Sequence, residues 1–196
     1  MFNRMISGVA GAILLTLSPM THAASQLPAP QEADWVAKEF RFNSGEKIND
    51  LRIHYITLGD KNKPAVLLLH GTNQPLSAFL APGFAAELFG PGQALDIRKY
   101  FIIIPEGIGS GKSTKPSDGL RMAFPHYDYD DMVTAQYRLI KEGLGISHLR
   151  LVMGYSMGGM QTWLWGEKYP TMMDKLVPML RNLTSCLGAT GCYAAC

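Results

Sequence analysis

The stretch Leu149-Arg-Leu-Val-Met-Gly-Tyr-Ser-Met-Gly-Gly-Met-Gln-Thr-Trp-Leu-Trp165 passes from an apolar run, through Gly154-Tyr-Ser156-Met-Gly158, into a segment of helical character. A serine between two glycines at a strand-to-helix turn sits where the chain reverses very tightly. A Cβ on either flank would collide with neighbouring backbone. Ser156 is therefore expected to hold its hydroxyl above the strand end as a nucleophile. The helix that opens near Met157 aims unpaired N–H groups at the same point, which makes the Met157 amide a candidate oxyanion donor. Without chemistry, the same turn is a glycine-rich junction whose serine caps a helix. The strand before it and the helix after it favour catalysis.

Working outward, Ala65-Val-Leu-Leu-Leu69 and Tyr100-Phe-Ile-Ile-Ile104 are further continuous apolar runs, as expected of strands buried on both faces. Between and around them, residues 78 to 89, interrupted at Pro82-Gly83, and a segment capped by Asp130 or Asp131 and running to about Glu142 read as helices, the second with Met132, Ala135, Leu139 and Ile140 on one face. Alternation over 40–42 and 51–58, around Asn43-Ser-Gly-Glu46, predicts an antiparallel hairpin. Strands that alternate with helices imply an α/β fold, a mostly parallel sheet covered on both faces. His70-Gly71-Thr72 closes the first buried strand on what would be the functional edge. The Thr72 amide is the candidate second oxyanion donor, and His70 is read as shaping that loop, with Gly71, Gly154 and Gly158 as the residues that let the turns close.

Several classes of function fall away. A net charge of +2, with Lys and Arg scattered along 196 residues, gives no reason for nucleic-acid binding. Gly107-Ile-Gly-Ser-Gly-Lys-Ser113 has the look of a phosphate cradle, but its spacing is one residue short and Glu106 stands where the first glycine should be. Pro116 also prevents the helix whose N-terminus would meet the phosphates. His54, His126 and His148 read as surface or packing residues, and no Cys/His/Asp cluster has metal spacing, so neither a metal nor a cofactor is expected. Met153, Met157 and Met160 read as core filling around the turn.

The two ends of the chain differ from its middle. Arg4 followed by the apolar run from Met5 to Leu17 and by Thr21-His-Ala23 reads as a secretory signal cleaved after Ala23, with residues 24–36 as a flexible lead-in. Ser18 and Pro19 cut the run short of the roughly 20 residues that a spanning helix needs, so no stable membrane span is expected after cleavage. Export places the product in the periplasm or outside the cell. Cys186, Cys192 and Cys196 all lie in the last eleven residues, and nothing before them is cysteine.

With these residues in view, the chain resembles the α/β-hydrolase family, and within it the branch that includes homoserine O-acetyltransferases. The resemblance is carried by His70-Gly71-Thr72, Glu106 to Ser113, Asp130-Asp-Met-Val-Thr-Ala-Gln136, and Ser156-Met-Gly-Gly-Met-Gln161 with Trp163 and Trp165. It implies acyl transfer from a small-molecule ester or acyl substrate through an acyl-Ser156 intermediate, to water or to an alcohol. The family's triad runs Ser, then Asp or Glu, then His. No histidine follows Ser156 here, and Asp174 comes too early to be the acid. Residues 37–180 are thus expected to form the N-terminal part of the fold, and residues 181–196 to be an aberrant tail from a shifted reading frame, because back-translation in another frame permits a family-like run. With C-terminal strands missing, Leu149–Met153 would become the sheet edge. A non-catalytic remnant or binding module is the competing reading. The acyl group and the oligomeric state are not legible.

Overall fold

The computed structural model describes residues 28–179. The expected signal segment, its cleavage point and the tail with its cysteines lie outside the described residues. The described sheet has six strands in the order β1-β2-β4-β3-β5-β6. They are β1 (Gln31–Arg41), β2 (Lys47–Leu58), β3 (Ala65–Leu69), β4 (Phe101–Pro105), β5 (Leu149–Tyr155) and β6 (Leu176–Met179). The β1–β2 and β2–β4 pairs are antiparallel, while β3 pairs in parallel with β4 and β5, and β5 with β6.

Two layers bury the centre of this sheet. Val66 and Leu68 face Phe79, Ala85 and Phe89, which come from a 3₁₀ turn, Leu76–Leu80, from α1 (Pro82–Leu88) and from the residue that caps it. Pro82 starts α1 because a ring at the first helical position gives up only an N–H that has no partner there. Leu67 and Leu69, one residue out of phase, face Val133, Ile140 and Trp165 from α2 (Tyr129–Arg138), the turn after it, and α3 (Met157–Lys168). A third cluster, with Phe40, Leu51, Ile53 and Met132, lies under the hairpin.

The structure corrects four expectations. The first strand starts at Gln31, so the segment read as a lead-in up to residue 36 is paired from there on. Its alternation was hidden by Glu39, whose φ of 48° resets the phase so that Ala37 and Phe40 are both buried. Asp128, and not Asp130 or Asp131, caps α2: its carboxylate accepts the Asp131 N–H at 2.9 Å and Asp131 reaches back to the Asp128 N–H at 3.1 Å. The helix does not run regularly to Glu142, because Leu144 N–H bonds to Leu139 O at 2.9 Å, a wider turn that brings Gly143 against the Trp35 ring.

The fourth correction concerns the edge. β5 lies inside the sheet, because the chain after Pro170 returns and pairs with it through β6. The edge of the described sheet on that side is β6, with Leu176, Val177 and Met179 each more than one-third exposed. No helix among the described residues is long and apolar enough to cross a membrane.

Candidate active site

At the C-terminal end of β5 the backbone of Ser156 takes φ 53° and ψ −122°, a conformation that non-glycine residues avoid. Two glycines make it attainable. A Cβ on Gly154 would stand 2.8 Å from Thr162 Oγ1 and against the Gly158 carbonyl. One on Gly158 would stand 2.6 Å from the carbonyl carbon of Leu69 and 2.8 Å from His70 O. The second clash is with backbone of β3, so Gly158 lets α3 approach the neighbouring strand. Ser156 makes no cap hydrogen bond with its side chain and is exposed. Met157 supplies the first N–H of α3, one of those a helix leaves without an internal partner.

The loop after β3 meets this turn from the side. A Cβ on Gly71 would lie 3.4 Å from Ser156 Cβ and 3.0 Å from the Tyr155 ring. Gln74 N–H closes a turn onto Gly71 O at 3.2 Å, with Asn73 at φ 55°. His70 is buried, and both of its nitrogens are engaged by backbone. Nε2 accepts the Gly107 N–H at 2.9 Å, which requires Nδ1 to carry the proton and donate to Gly71 O at 2.8 Å. The ring is neutral in this arrangement and ties the β3 loop to the β4 loop, leaving no nitrogen for Ser156.

The glycine-rich loop after β4 closes around a carboxylate where a P-loop would hold phosphate. Glu106 accepts the Lys112 N–H at 2.5 Å, and Gly111 is bare of a side chain where that carboxylate sits. Ser113 Oγ donates to Glu106 O at 3.0 Å and accepts the His54 N–H at 2.9 Å, clipping the loop to β2. The Lys112 side chain leaves to meet Glu32 at 2.5 Å. The Glu106 carboxyl already fills the centre of the loop, which leaves no room there for a phosphate.

These loops enclose a cavity of about 530 Å³ lined by His70, Thr72, Asn73, Ile108, Gly109, Ser110, Tyr127, Asp128, Tyr129, Met132 and Met157. Thr72 and Met157 thus face one space. Met132 and Met157, read from the sequence as core residues, contribute to its wall. Tyr127, Asp128 and Tyr129 had no signal of their own, since a loop and the first residue of the helix after it carry no period that points at a cavity. Burial pushes the Tyr127 phenol above its ordinary range. It also pushes up Tyr155, against a backbone hydrogen bond from Gly71. Asp131 is raised by burial too, although its carboxylate accepts N–H groups from Asn43 and Asp128.

The remaining histidines among the described residues lie elsewhere. His54 Nδ1 is 2.7 Å from Asp34, and His126 lies 3.4 Å from Glu46. His148 is 2.7 Å from Asp174, whose N–H bonds to Leu149 O at 3.1 Å, at the opposite end of β5 from Ser156. Among the described residues no group of three His, Cys, Asp or Glu could hold a metal ion.

A family model for the alpha/beta hydrolase fold matches residues 64–181. The homoserine O-acetyltransferase of Methanohalobium evestigatum is 38% identical over 161 residues, covering 74% of this chain and 33% of that protein. That of Moorella thermoacetica is 37% identical over 156 residues, covering 69% and 41%. Among solved structures, an acetylester hydrolase from Corynebacterium glutamicum superposes with a TM-score of 0.67 at 28% identity, covering 76% of this chain and 43% of that one. The chain therefore spans between one-third and about two-fifths of the length of these two curated relatives.

Proposed function

We propose an activity on one premise: the chain belongs to the alpha/beta hydrolase fold family. The proposed reaction is acyl transfer through Ser156. Its hydroxyl oxygen attacks the carbonyl carbon of a small ester, the oxyanion is held by the Met157 and Thr72 amides, and the alcohol leaves as the acyl-serine ester forms. His70, Gly71, Gly154 and Gly158 shape the two loops and take no part in proton transfer. The observation that carries this reading is the backbone of Ser156, held at φ 53° between β5 and α3 with its side chain exposed. Strain of this kind at an exposed serine has a use if the serine is a nucleophile.

Proton transfer limits the rate. No histidine follows Ser156 in this sequence, and those among the described residues are bound elsewhere. Loss of triad members lowers turnover by roughly 10⁴ to 10⁶, so these residues alone are expected to be almost inactive. Transfer to water is favoured over transfer to an alcohol by the signal-like segment from Met5 to Leu17, which supports export away from cytoplasmic acyl donors. A small neutral fluorophosphonate incubated with the chain is expected to modify Ser156 slowly and no other residue, read by mass spectrometry of the peptide. A folded chain that stays unmodified after long exposure would favour the binding-module reading instead.

A further inference from the structure

Between α2 and α3 a line of buried polar side chains runs from the core to the cavity. Trp165 Nε1 donates to Gln136 Oε1 at 2.9 Å, Gln136 Nε2 donates to Gln161 Oε1 at 2.6 Å, and Gln161 Nε2 donates to the Met132 sulfur at 3.5 Å. Trp165 is wholly buried, and Gln136 and Gln161 are 5% and 2% exposed. The direction of this line is set at one end. An indole N–H can only donate, so Gln136 must turn its oxygen to Trp165 and its NH₂ to Gln161. Gln161 must then present oxygen to Gln136 and its own NH₂ to Met132.

What stands at the other end makes the line more than packing. Met132 lines the cavity beside Met157, and its methyl group lies 2.8 Å from where a Cβ on Gly107 would be, on the residue whose N–H bonds to His70. A thioether is flexible about three bonds and accepts hydrogen bonds weakly, so a methionine in a cavity wall ordinarily samples several rotamers. A directed N–H on its sulfur selects among them.

We propose that Trp165, acting through Gln136 and Gln161, fixes the rotamer of Met132 and thereby the size of group that the cavity admits. The size consequence rests on the acyl-transfer reading, while the fixed rotamer stands without it. Gln136, Gln161 and Trp165 are positioning residues, and Met132 is the wall they set.

The test is the NMR spectrum of the full chain carrying methyl-labelled methionine, with Met132 assigned through Met132→Leu. Met122, fully exposed at 99%, gives the averaged methyl shift for reference. In the unaltered protein the Met132 methyl should sit at a single-rotamer shift, and in Gln161→Leu it should move toward the Met122 value. Gln161→Met, of similar length and wholly apolar, repeats the comparison if the leucine variant folds poorly. An averaged Met132 methyl in the unaltered protein, or a locked one in the folded variants, overturns the proposal.

The second arm compares modification of Ser156 by a bulky and by a small neutral fluorophosphonate. The bulky-to-small rate ratio should rise several-fold in Gln161→Leu and in Met132→Ala alike. A rise in Met132→Ala with none in Gln161→Leu removes the relay from size selection. Failure of the small probe to react sinks the acyl-transfer reading and with it the size consequence, while the methyl shifts still decide the rotamer.

Discussion

The two ends of β5 hold the parts of one chemistry and keep them apart. At the C-terminal end Ser156 is exposed on a strained turn, with the start of α3 and the Gly71 loop beside it and, among the described residues, no histidine nitrogen free to serve it. At the N-terminal end His148 and Asp174 make an acid–base pair 2.7 Å apart, next to Arg150, with no nucleophile. The seven residues of β5, at ~3.3 Å each, put about 23 Å between them. Ser156, His148 and Asp174 are therefore no triad.

The ends also differ in how tightly they are determined, which can be tested with glycines. Gly158→Ala gains helix propensity of about 1 kcal/mol. It nevertheless drives a methyl group into the backbone of Leu69 and His70, neither of which is the movable end of a side chain. We expect a net loss of about 3 kcal/mol or more in urea unfolding, or no folding. Gly145→Ala, at the other end of β5, meets nothing within 4 Å and is strained only by a φ of 69°, so it should cost about 1 kcal/mol. Equal losses would show that the active end is no more constrained than the far one.

Ser156 itself separates stability from chemistry. In Ser156→Gly the relief of a positive φ, about 1–3 kcal/mol, exceeds the entropic cost of glycine, about 0.5–1 kcal/mol. The variant should be more stable by about 1 kcal/mol in its urea midpoint and should lose all modification by fluorophosphonate. A lower midpoint would mean that the turn is not strained in solution.

The smallest effects belong to the far end. His148→Ala and Asp174→Asn should leave the rate of Ser156 modification unchanged. Hydrogen bonds from His148 and then Arg150 hold the Asp174 carboxyl below the ordinary aspartate range. A carboxyl lowered on folding adds stability above its unfolded pKa, near 3.9, and that contribution is lost as pH falls through the lower folded value. Asp174→Asn should accordingly lower stability slightly near neutrality, flatten the acid side of the stability curve, and make no difference below the folded pKa. A modification rate that follows His148 would break the contrast between the two ends.

Much of the site was legible because it is local. Gly154, Ser156 and Gly158 declare a turn through sterics that act over a few residues, and the apolar runs at 65–69 and 149–153 declare buried strands. The Gly107–Ser113 loop could be refused as a phosphate site on spacing, and the Glu106 carboxylate at its centre supplies the reason. The cap of α2 was misread because Asp128, Asp130 and Asp131 offer the same chemistry within four positions. Asn43, 88 residues from Asp131, fixes both members of the capping box: its N–H donates to the Asp131 carboxylate at 2.8 Å and its side-chain amide to the Asp128 carboxylate at 3.2 Å.

Read alone, the chain settles the fold class, the strand-to-helix turn and the serine on it, since these depend on neighbours in sequence. Folding settles what surrounds that serine. Placing β3 next to β5 brings Gly71 against Ser156 across 85 positions of sequence, and the return of residues 176–179 moves β5 from the edge to the interior. It also brings Asp174 to His148 at the N-terminal end of β5. Such contacts are set by sheet register and by burial summed over three clusters, and no short stretch of sequence carries that sum.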